Sequence, residues 1–354
     1  MGANLLIFAG SLLLPLSQHD TTDHSERPSH GFGYERLSDA LAYNRVQGLS
    51  VGLGYRITLP GTSSTGMATI RYGLSDERVT GRLSIVRELR RGYVRLSGYS
   101  DVADVDPMSQ GRTISNTLNA LFAGHDNADY SLSRGASLTW ETPLAPALTL
   151  ELSAGLDRRS SITRTARSAV NDFLGGTGVF PANPPIREGT FGSTSVRLRR
   201  PGRGGWMVTL DAIGGAGTTI GRLYGGLRRS IGRRPMLGLH LKAGTATEPG
   251  LPQTLFRLGG LNTVRGFEYG TRQGPAFWSV QAELTLLPGR IRPVLFADAG
   301  QAGRTVDLFS STALLGGGAG LELLRGLIRL DLSRPISPHA AGKLRFDLVL
   351  REIW

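Results

Sequence analysis

Residues 343–351 read KLRFDLVLR, and most side chains in this stretch alternate between charged and apolar. The apolar positions are Leu344, Phe346, Leu348 and Leu350. The charged positions are Lys343, Arg345, Asp347 and Arg351. A period of two, with one apolar and one polar face, predicts a β-strand whose two faces meet different surroundings.

The same alternation recurs along most of the chain, in about fifteen stretches. They begin near Gln47, Gly66, Val79, Gly92, Arg134, Ala147, Thr190, Gly204, Ile220, Pro235, Ala276, Ile291, Leu314, Gly326 and Lys343. Most are about ten residues long, the length that a tilted β-strand needs to cross a bilayer. No long amphipathic helix separates them, which excludes a βαβ fold, although residues 116–122 leave room for a short helical turn.

The connections between these stretches are alternately tight and long. The tight connections are at residues 90–91, 143–146, 201–203, 232–234, 288–290 and 324–325. The long connections are at residues 103–133, 158–189, 247–275, 302–313 and 336–342. Short periplasmic turns and long external loops are typical of outer-membrane barrels, in which the apolar face contacts lipid and the polar face lines the interior. The sequence therefore predicts an all-β protein, a transmembrane antiparallel up-and-down β-barrel whose interior is polar and net basic.

Composition excludes several other classes of protein. The 354 residues include no cysteine, which removes disulfides, a thiol nucleophile and thiolate metal sites. No run of about 18 apolar residues predicts a transmembrane helix. The formal net charge is +12, but the arginines are spread along the chain and are not clustered with aromatic residues, so we expect no nucleic-acid partner.

Two further patterns argue against an enzyme or a metal site. GLSVG at residues 48–52 matches a hydrolase nucleophile elbow, but it lies inside an alternating strand and not at a strand-to-helix turn. The six histidines are scattered and lack the spacing of a zinc site. We therefore predict no catalytic residues, no metal and no cofactor.

Two motifs in the last third of the chain indicate a family. Residues 256–270 read FRLGGLNTVRGFEYG, and residues 296–300 read FADAG. They resemble the two hallmark motifs of the outer-membrane assembly and translocation barrels. This superfamily contains the BamA/TamA insertases, the two-partner-secretion transporters and the bacterial surface antigen family. YNRVQGL at residues 43–49 also resembles the barrel opening of short members, so that the resemblance covers roughly the last 310 residues.

The resemblance implies a barrel of about 16 strands with the loop at residues 247–275 folded into the lumen. The lumen-loop motif is then Gly259, Gly260, Val264, Arg265, Gly266 and Phe267. The residues expected to clasp it are Glu283, Phe296, Asp298 and Gly300. We expect Arg265 to contact the carboxylates, because a buried guanidinium needs them. The end of the chain resembles the signal that the barrel-assembly machinery recognises, at Phe346, Leu348, Leu350 and Trp354, with Glu352 as a departure.

The first 46 residues have two alternative interpretations. The apolar run from Leu5 to Leu16 suits a signal peptide, yet no basic region precedes it. Alternatively, part of residues 1–46 supplies the sixteenth strand. The segment is too short for a POTRA domain. We expect residues 1–46 to form this N-terminal segment and residues 47–354 to form the barrel of a member that lacks POTRA domains.

The leading functional hypothesis is an integral protein of the bacterial outer membrane that inserts proteins into that membrane or translocates them across it. Its expected partners are outer-membrane lipid and lipopolysaccharide, a client or translocated protein and, for its own assembly, the barrel-assembly machinery; a homo-oligomer is left open. One alternative is a passive, anion-preferring pore or a structural barrel. A third, an outer-membrane hydrolase, lacks a Ser/His/acid set.

Overall fold

A computed structural model describes residues 30–109, 111, 113–202, 204–232, 235–337 and 343–350. The strands before the long loop at residues 247–275 are β1 (His30–Phe32), β2 (Leu41–Asn44), β3 (Gly48–Thr58), β4 (Ser64–Gly73), β5 (Arg78–Glu88), β6 (Tyr93–Asp104), β7 (Tyr130–Ala145), β8 (Leu148–Ser161), β9 (Gly189–Arg200), β10 (Trp206–Gly215), β11 (Thr218–Ile231) and β12 (Met236–Ala246). The loop contains β13 (Phe256–Leu258) and β14 (Arg272–Gly274). After it come β15 (Ala276–Thr285), β16 (Ile291–Gly303), β17 (Leu314–Leu323), β18 (Ile328–Pro335) and β19 (Arg345–Leu350).

The helices are short and lie between the strands. They are α1 (Leu37–Ala40), α2 (Ile114–Leu118), which continues into a π-helical turn at Asn119–Ala123, and α3 (Ala169–Phe173). Single 3₁₀ turns lie at Pro252–Thr254, Thr305–Asp307 and Leu324–Gly326. Among the described residues, no helix has the length and apolar character that would let it span a membrane.

The strands form an up-and-down antiparallel β-barrel. Each strand from β3 to β12 pairs with the next, and the ladder continues from β12 to β15 and on to β19. Both β1 and β2 pair with β3, one with its second half and one with its first. Counted as one strand broken at α1, they bring the described wall to sixteen strands. This confirms the fold class predicted from the alternation.

Antiparallel order places all the long connections at one end of the barrel, which we call the loop end. The connections β5–β6, β7–β8, β9–β10, β11–β12, β15–β16 and β17–β18 lie at the opposite end, the turn end. Since β1 runs from the turn end and β19 runs back to it, the described wall begins and finishes on the same side. Residues 1–29, on which the signal-peptide interpretation falls, lie outside the described residues. The alternative of a first strand within residues 1–46 corresponds to β1 and β2.

The apolar side chains of the wall point outward and the polar ones inward. Leu53 and Leu156 are 62% and 61% exposed, respectively, on the outer face. In β19, Phe346 is 40% exposed, whereas the neighbouring Arg345 and Asp347 are buried. Arginines of the interior face carboxylates. Pairs of this kind are Arg82–Asp101, Arg197–Glu151, Arg222–Asp211 and Arg292–Glu322.

A hydrophobic core lies inside the barrel near the loop end. Its wall members come from strands between β9 and β17 and include Phe191, Ile213 and Tyr224. Its other members come from the loop at residues 247–275 and include Phe256, Leu258, Val264 and Phe267. The rings of Phe256 and Phe277 lie 4.6 Å apart between centroids. Burial of these side chains holds the loop in the lumen, because each contributes about 1.5–3 kcal/mol on leaving water.

Candidate functional site

The loop at residues 247–275, which we call the lumen loop, is fixed inside the barrel by polar contacts as well as by its apolar side chains. Lys242 Nζ donates a hydrogen bond to Asn262 O at 2.6 Å, and Gln281 Nε2 donates to Leu261 O at 3.0 Å. Both donors belong to wall strands, β12 and β15. The lumen loop therefore follows the inner face of the wall, where the family resemblance implied it would lie.

Glycines give the lumen-loop motif its compact path. Gly259, Gly260 and Gly266 have φ values of 111°, 77° and 90°, a region that other residues avoid. Gly260 N donates to Phe267 O at 2.9 Å and closes the motif on itself. The turn presents Val264 to the core and Arg265 to the carboxylates of the wall.

Arg265 is clasped by carboxylates from three strands. Its Nε and Nη2 donate to the two oxygens of Asp298 at 2.7 Å each, a bidentate pair, and its backbone N donates to Asp298 Oδ2 at 2.9 Å. Its Nη1 donates to Glu283 Oε1 at 2.6 Å and lies 3.4 Å from Asp331 Oδ2. The side chains of Arg265 and Asp298 are 4% and 0% exposed. Charge-assisted bidentate bonds shielded from water are among the strongest polar contacts in proteins.

A second arginine and an aromatic ring complete this cluster. Arg329 donates to Asp331 at 2.7 Å and lies 2.9 Å from Glu283 Oε2. The guanidinium carbon of Arg265 lies 3.8 Å from the centroid of the Phe296 ring, in cation–π geometry. Burial opposes the charge of Arg265, but the hydrogen bonds and charge of Asp298, with Glu283 and Asp331, raise its pKa above the ordinary value. The guanidinium is thus charged throughout the physiological range.

The remaining predicted residues surround this cluster or lie on β19. A Cβ atom on Gly300 would meet Leu258 and Val264 at 2.7 and 2.9 Å, so the missing side chain makes room for the lumen loop. Phe346, Leu348 and Leu350 lie on β19, while Trp354 falls outside the described residues. Among the described residues, no group of three His, Cys, Asp or Glu side chains could hold a metal ion.

Replacing Gly266 with alanine should dislodge the lumen loop more than replacing Gly270 with alanine. Both glycines have positive φ, 90° and 76°, so each change costs about 1–2 kcal/mol of backbone strain. Only at Gly266 would the new Cβ meet backbone, at 2.5 Å from Arg334 C, which adds about 1–3 kcal/mol of overpacking. Limited proteolysis from the loop end measures the release of the loop. Equal cleavage of the two variants would contradict this packing.

A second polar cluster, which sequence reasoning missed, ties the first hairpin to the loops. Arg45, in the turn between β2 and β3, is buried, and its Nε lies 3.3 Å from Asp126 Oδ2. Its Nη1 lies 3.5 Å from Asp129, whose other oxygen accepts from Arg257 Nε of the lumen loop at 2.5 Å. YNRVQGL is therefore a structural turn linked through Asp129 to the lumen-loop motif. The only sequence signal was that both arginines stand within motifs of the family.

The sheet has a seam between its first and last strands. In the described residues, β19 has a ladder with β18 only, and β2 has a ladder with β3 only. Residues Ile114–Ala123, comprising α2 and the π-helical turn, lie between these two edges and contact both. We call these ten residues the seam segment. It belongs to the loop between β6 and β7, which therefore reaches across to a part of the wall several strands away.

Side chains of the seam segment bind the backbone of both edge strands. Asn119 Nδ2 donates to Leu348 O at 2.6 Å, and Leu348 N donates to Asn119 Oδ1 at 2.9 Å. Ser115 Oγ donates to Leu350 O at 3.0 Å and accepts from Leu350 N at 2.9 Å. On the other edge, Tyr43 N donates to Thr117 Oγ1 at 3.2 Å. The wall is thus completed by a helical segment where a strand pairing would be expected.

The interior also holds a polar cavity, which Gln253 of the lumen loop helps to line. Its volume is about 360 Å³, and its walls come mainly from β6 to β11. Charged residues that line it include Arg82, Asp101, Asp157, Arg159 and Arg222. Serines fill much of the remaining lining, including Ser137 and Ser153. This part of the lumen is hydrophilic and unlike a protein core.

Residues 15–194 match the family described as the C-terminal domain of a family of unknown function, DUF5686, and this range is just over half of the sequence. The chain belongs to this family. No curated protein has a sequence that matches it significantly.

Solved structures place this DUF5686 domain among the large barrels. BamA from Haemophilus ducreyi lacking POTRA domains 1–3 is similar with a TM-score of 0.60 and 12% identity, over 87% of this chain and 68% of that one. CdiB from Acinetobacter baumannii is similar with a TM-score of 0.50 and 15% identity, over 88% of this chain and 58% of that one. The DUF5686 chain thus spans less than two thirds of that CdiB structure. At these identities, the similarity concerns the barrel fold.

Proposed function

We propose that this chain is an integral β-barrel of the bacterial outer membrane that takes part in inserting proteins into that membrane or translocating them across it. The observation that carries the proposal is the seam. Among the described residues, β19 pairs only with β18 and β2 only with β3, so neither has a strand partner along its other edge. An edge whose backbone groups are not paired with another strand is a template on which a strand can add. The barrel fold shared with BamA supports the same function.

The surface of the barrel supports this location. Leucines such as Leu53 and Leu156 are exposed on the outer face, while charged groups are turned inward. This arrangement suits lipid outside and a polar lumen inside. The partners in this proposal are outer-membrane lipid and lipopolysaccharide, a client or translocated protein, and the barrel-assembly machinery, which would recognise the end of β19.

Three observations favour this function over a passive, anion-preferring pore. The lumen loop and its core occupy the lumen near the loop end. The arginines of the interior are paired with carboxylates, so that the basic lining needed for anion preference is largely neutralised. The seam also serves no purpose in a pore, because a pore is best served by a continuous wall. For the hydrolase alternative, no geometry in the described residues adds support.

We expect the purified protein in liposomes to shorten the folding half-time of a urea-unfolded eight-stranded outer-membrane barrel several-fold. The seam would offer the client an edge on which its strands can pair. The heat-modifiable gel mobility of the client measures its folding. Liposomes that carry an equal amount of a porin with a continuous wall are the control. Equal acceleration by the porin, or none by this chain, would contradict the proposal.

A further inference from the structure

We propose that the seam segment, Ile114–Ala123, is a displaceable stopper that occupies the strand-binding edge of β19 until an extended polypeptide replaces it. This inference rests on the proposed function and concerns the regulation of the same seam. The stopper would provide hydrogen-bond partners for the edge strands of the resting barrel, and its release would leave the edge of β19 available to another strand.

The seam segment mimics a strand chemically. The carboxamide of Asn119 has both N–H donors and a carbonyl acceptor, as a peptide group has a donor and an acceptor, and it engages both N–H and C=O of Leu348. The hydroxyl of Ser115 does the same at Leu350. In an antiparallel ladder, residues at every second position exchange both bonds with the neighbouring strand. Leu348 and Leu350 are therefore bound as an incoming strand would bind them.

The spacing of Ser115 and Asn119 on the helix matches the spacing of their partners on the strand. Ser115 and Asn119 are four residues apart, which on a helix is a rise of about 6 Å. Leu348 and Leu350 are two residues apart, which on an antiparallel strand is about 6.8 Å. Two side chains on one face of the helix can thus bind two successive residues of β19 whose backbone groups point away from β18. A third position would require a longer segment, so the stopper covers less of the edge than a strand can.

The segment can leave without breaking the wall. Its α-helical part has five residues, too few to be stable without tertiary contacts. Asn116, by contrast, is bonded to Asp126 of the same loop and to Tyr130, the first residue of β7. The bonds to β19 are made by side chains, whereas the ladders of β6 and β7 are made by backbone. Displacement therefore exchanges side-chain bonds for a backbone ladder and leaves every described strand pair intact.

The seam segment has a polar side and an apolar side, and the two contact different parts of the barrel. Ser115, Asn116, Thr117 and Asn119 are buried, while Leu118 and Leu121 are half-buried and Phe122 is 42% exposed. Ala120 packs in a cluster with Tyr43 of β2. The polar side thus faces the edges and the interior, and apolar side chains remain on the other side. The loop between β8 and β9 contacts that other side, where Leu121 packs against the cluster with Phe180 and Ser168 Oγ donates to Leu121 O at 2.8 Å.

The decisive experiment measures binding of a fluorescein-labelled peptide, the ten-residue last strand of the client barrel, to the protein in lipid nanodiscs. Ser115→Ala with Asn119→Ala should bind it several-fold more tightly than the wild type and should speed amide exchange at Leu348 and Leu350. Ser115→Thr, which keeps the hydroxyl, should behave as the wild type. Asn171→Ala is the matched control, because Asn171 contacts the outer side of the segment at Phe122 O and not β19.

A locked form tests the same idea from the opposite direction. Since the chain has no cysteine, Ser115→Cys and Leu350→Cys can be joined by a cleavable bismaleimide that contains a disulfide. The locked protein should lose peptide binding and recover it on reduction. Unchanged binding after locking would overturn the stopper, as would a double alanine variant that exchanges faster but binds no better. If that variant does not fold, the locked form decides the question.

The two proposals fail in different ways. If the locked protein still accelerates client folding as the wild type does, the seam segment is a permanent part of the wall and the insertion function stands. If the wild type accelerates nothing, yet reduction of the locked form restores peptide binding, the insertion function fails and the strand-binding edge stands.

Discussion

Replacing Arg265 with alanine should lower the free energy of unfolding of the barrel by about 3–5 kcal/mol, the usual cost of breaking a buried ion pair by removing one partner. Asp298, whose side chain is fully buried, would lose a bidentate partner, and Glu283 would lose one of its two arginines. The lumen loop should then become accessible to protease from the loop end. Urea unfolding in lipid, followed by tryptophan fluorescence, measures the loss.

A double-mutant cycle separates the ion pair from the general damage. Asp298→Ala removes the same contact, so the Arg265→Ala, Asp298→Ala variant should lose much less than the sum of the single losses. Arg304→Ala is the control, because Arg304 is 69% exposed and its pairing with Glu248 is worth at most about 1 kcal/mol. Additive losses in the cycle would show that the bidentate pair does not hold the lumen loop.

Replacing Leu156 with arginine should impair assembly far more than introducing arginine at Ser153 of the same strand. Leu156 is 61% exposed on the outer face, where a charge against lipid costs about 2–4 kcal/mol near the midplane of the bilayer. Ser153 lines the polar cavity of about 360 Å³, which has room for the longer side chain and carboxylates such as Asp157 to receive it.

Heat-modifiable mobility of the protein extracted from outer membranes reports how much of each variant has folded. Leu156→Ala is the control for the lost side chain, since it introduces no charge. If Ser153→Arg were the more damaging change, the two faces of the wall would be assigned the wrong way round.

The wall was predictable from sequence because its period is set by backbone geometry. In KLRFDLVLR, successive side chains point to opposite faces of the sheet, whichever strand lies alongside. The pattern can therefore be recognised without knowing which strands pair. All fifteen stretches correspond to strands from β3 to β12 and from β15 to β19. The contact of Arg265 with Asp298 followed from a motif and from the need of a buried guanidinium for carboxylates.

The seam and the Arg45 cluster left no comparable trace. Asn119 and Leu348 are 229 positions apart, and their contact depends on where a loop crosses the barrel. Arg45 meets Asp126 for the same reason. The first strand was obscured because α1 divides it into β1 and β2, pieces of three and four residues that are too short to show a period. Local sequence patterns indicate strands, whereas the part of the barrel that a loop contacts depends on the tertiary structure.

The division of the first strand also has a mechanical consequence. The chain enters the wall through β1, whose ladder to β3 has three residue pairs, and then leaves it at α1 before β2 adds four more. Neighbouring ladders such as β4–β5 have ten. Tension applied to the chain ahead of His30 would be borne by the three pairs of β1 before any other part of the sheet carried load. The short β1–β3 ladder can therefore detach under a smaller force than the longer ladders, while the remaining strands stay paired.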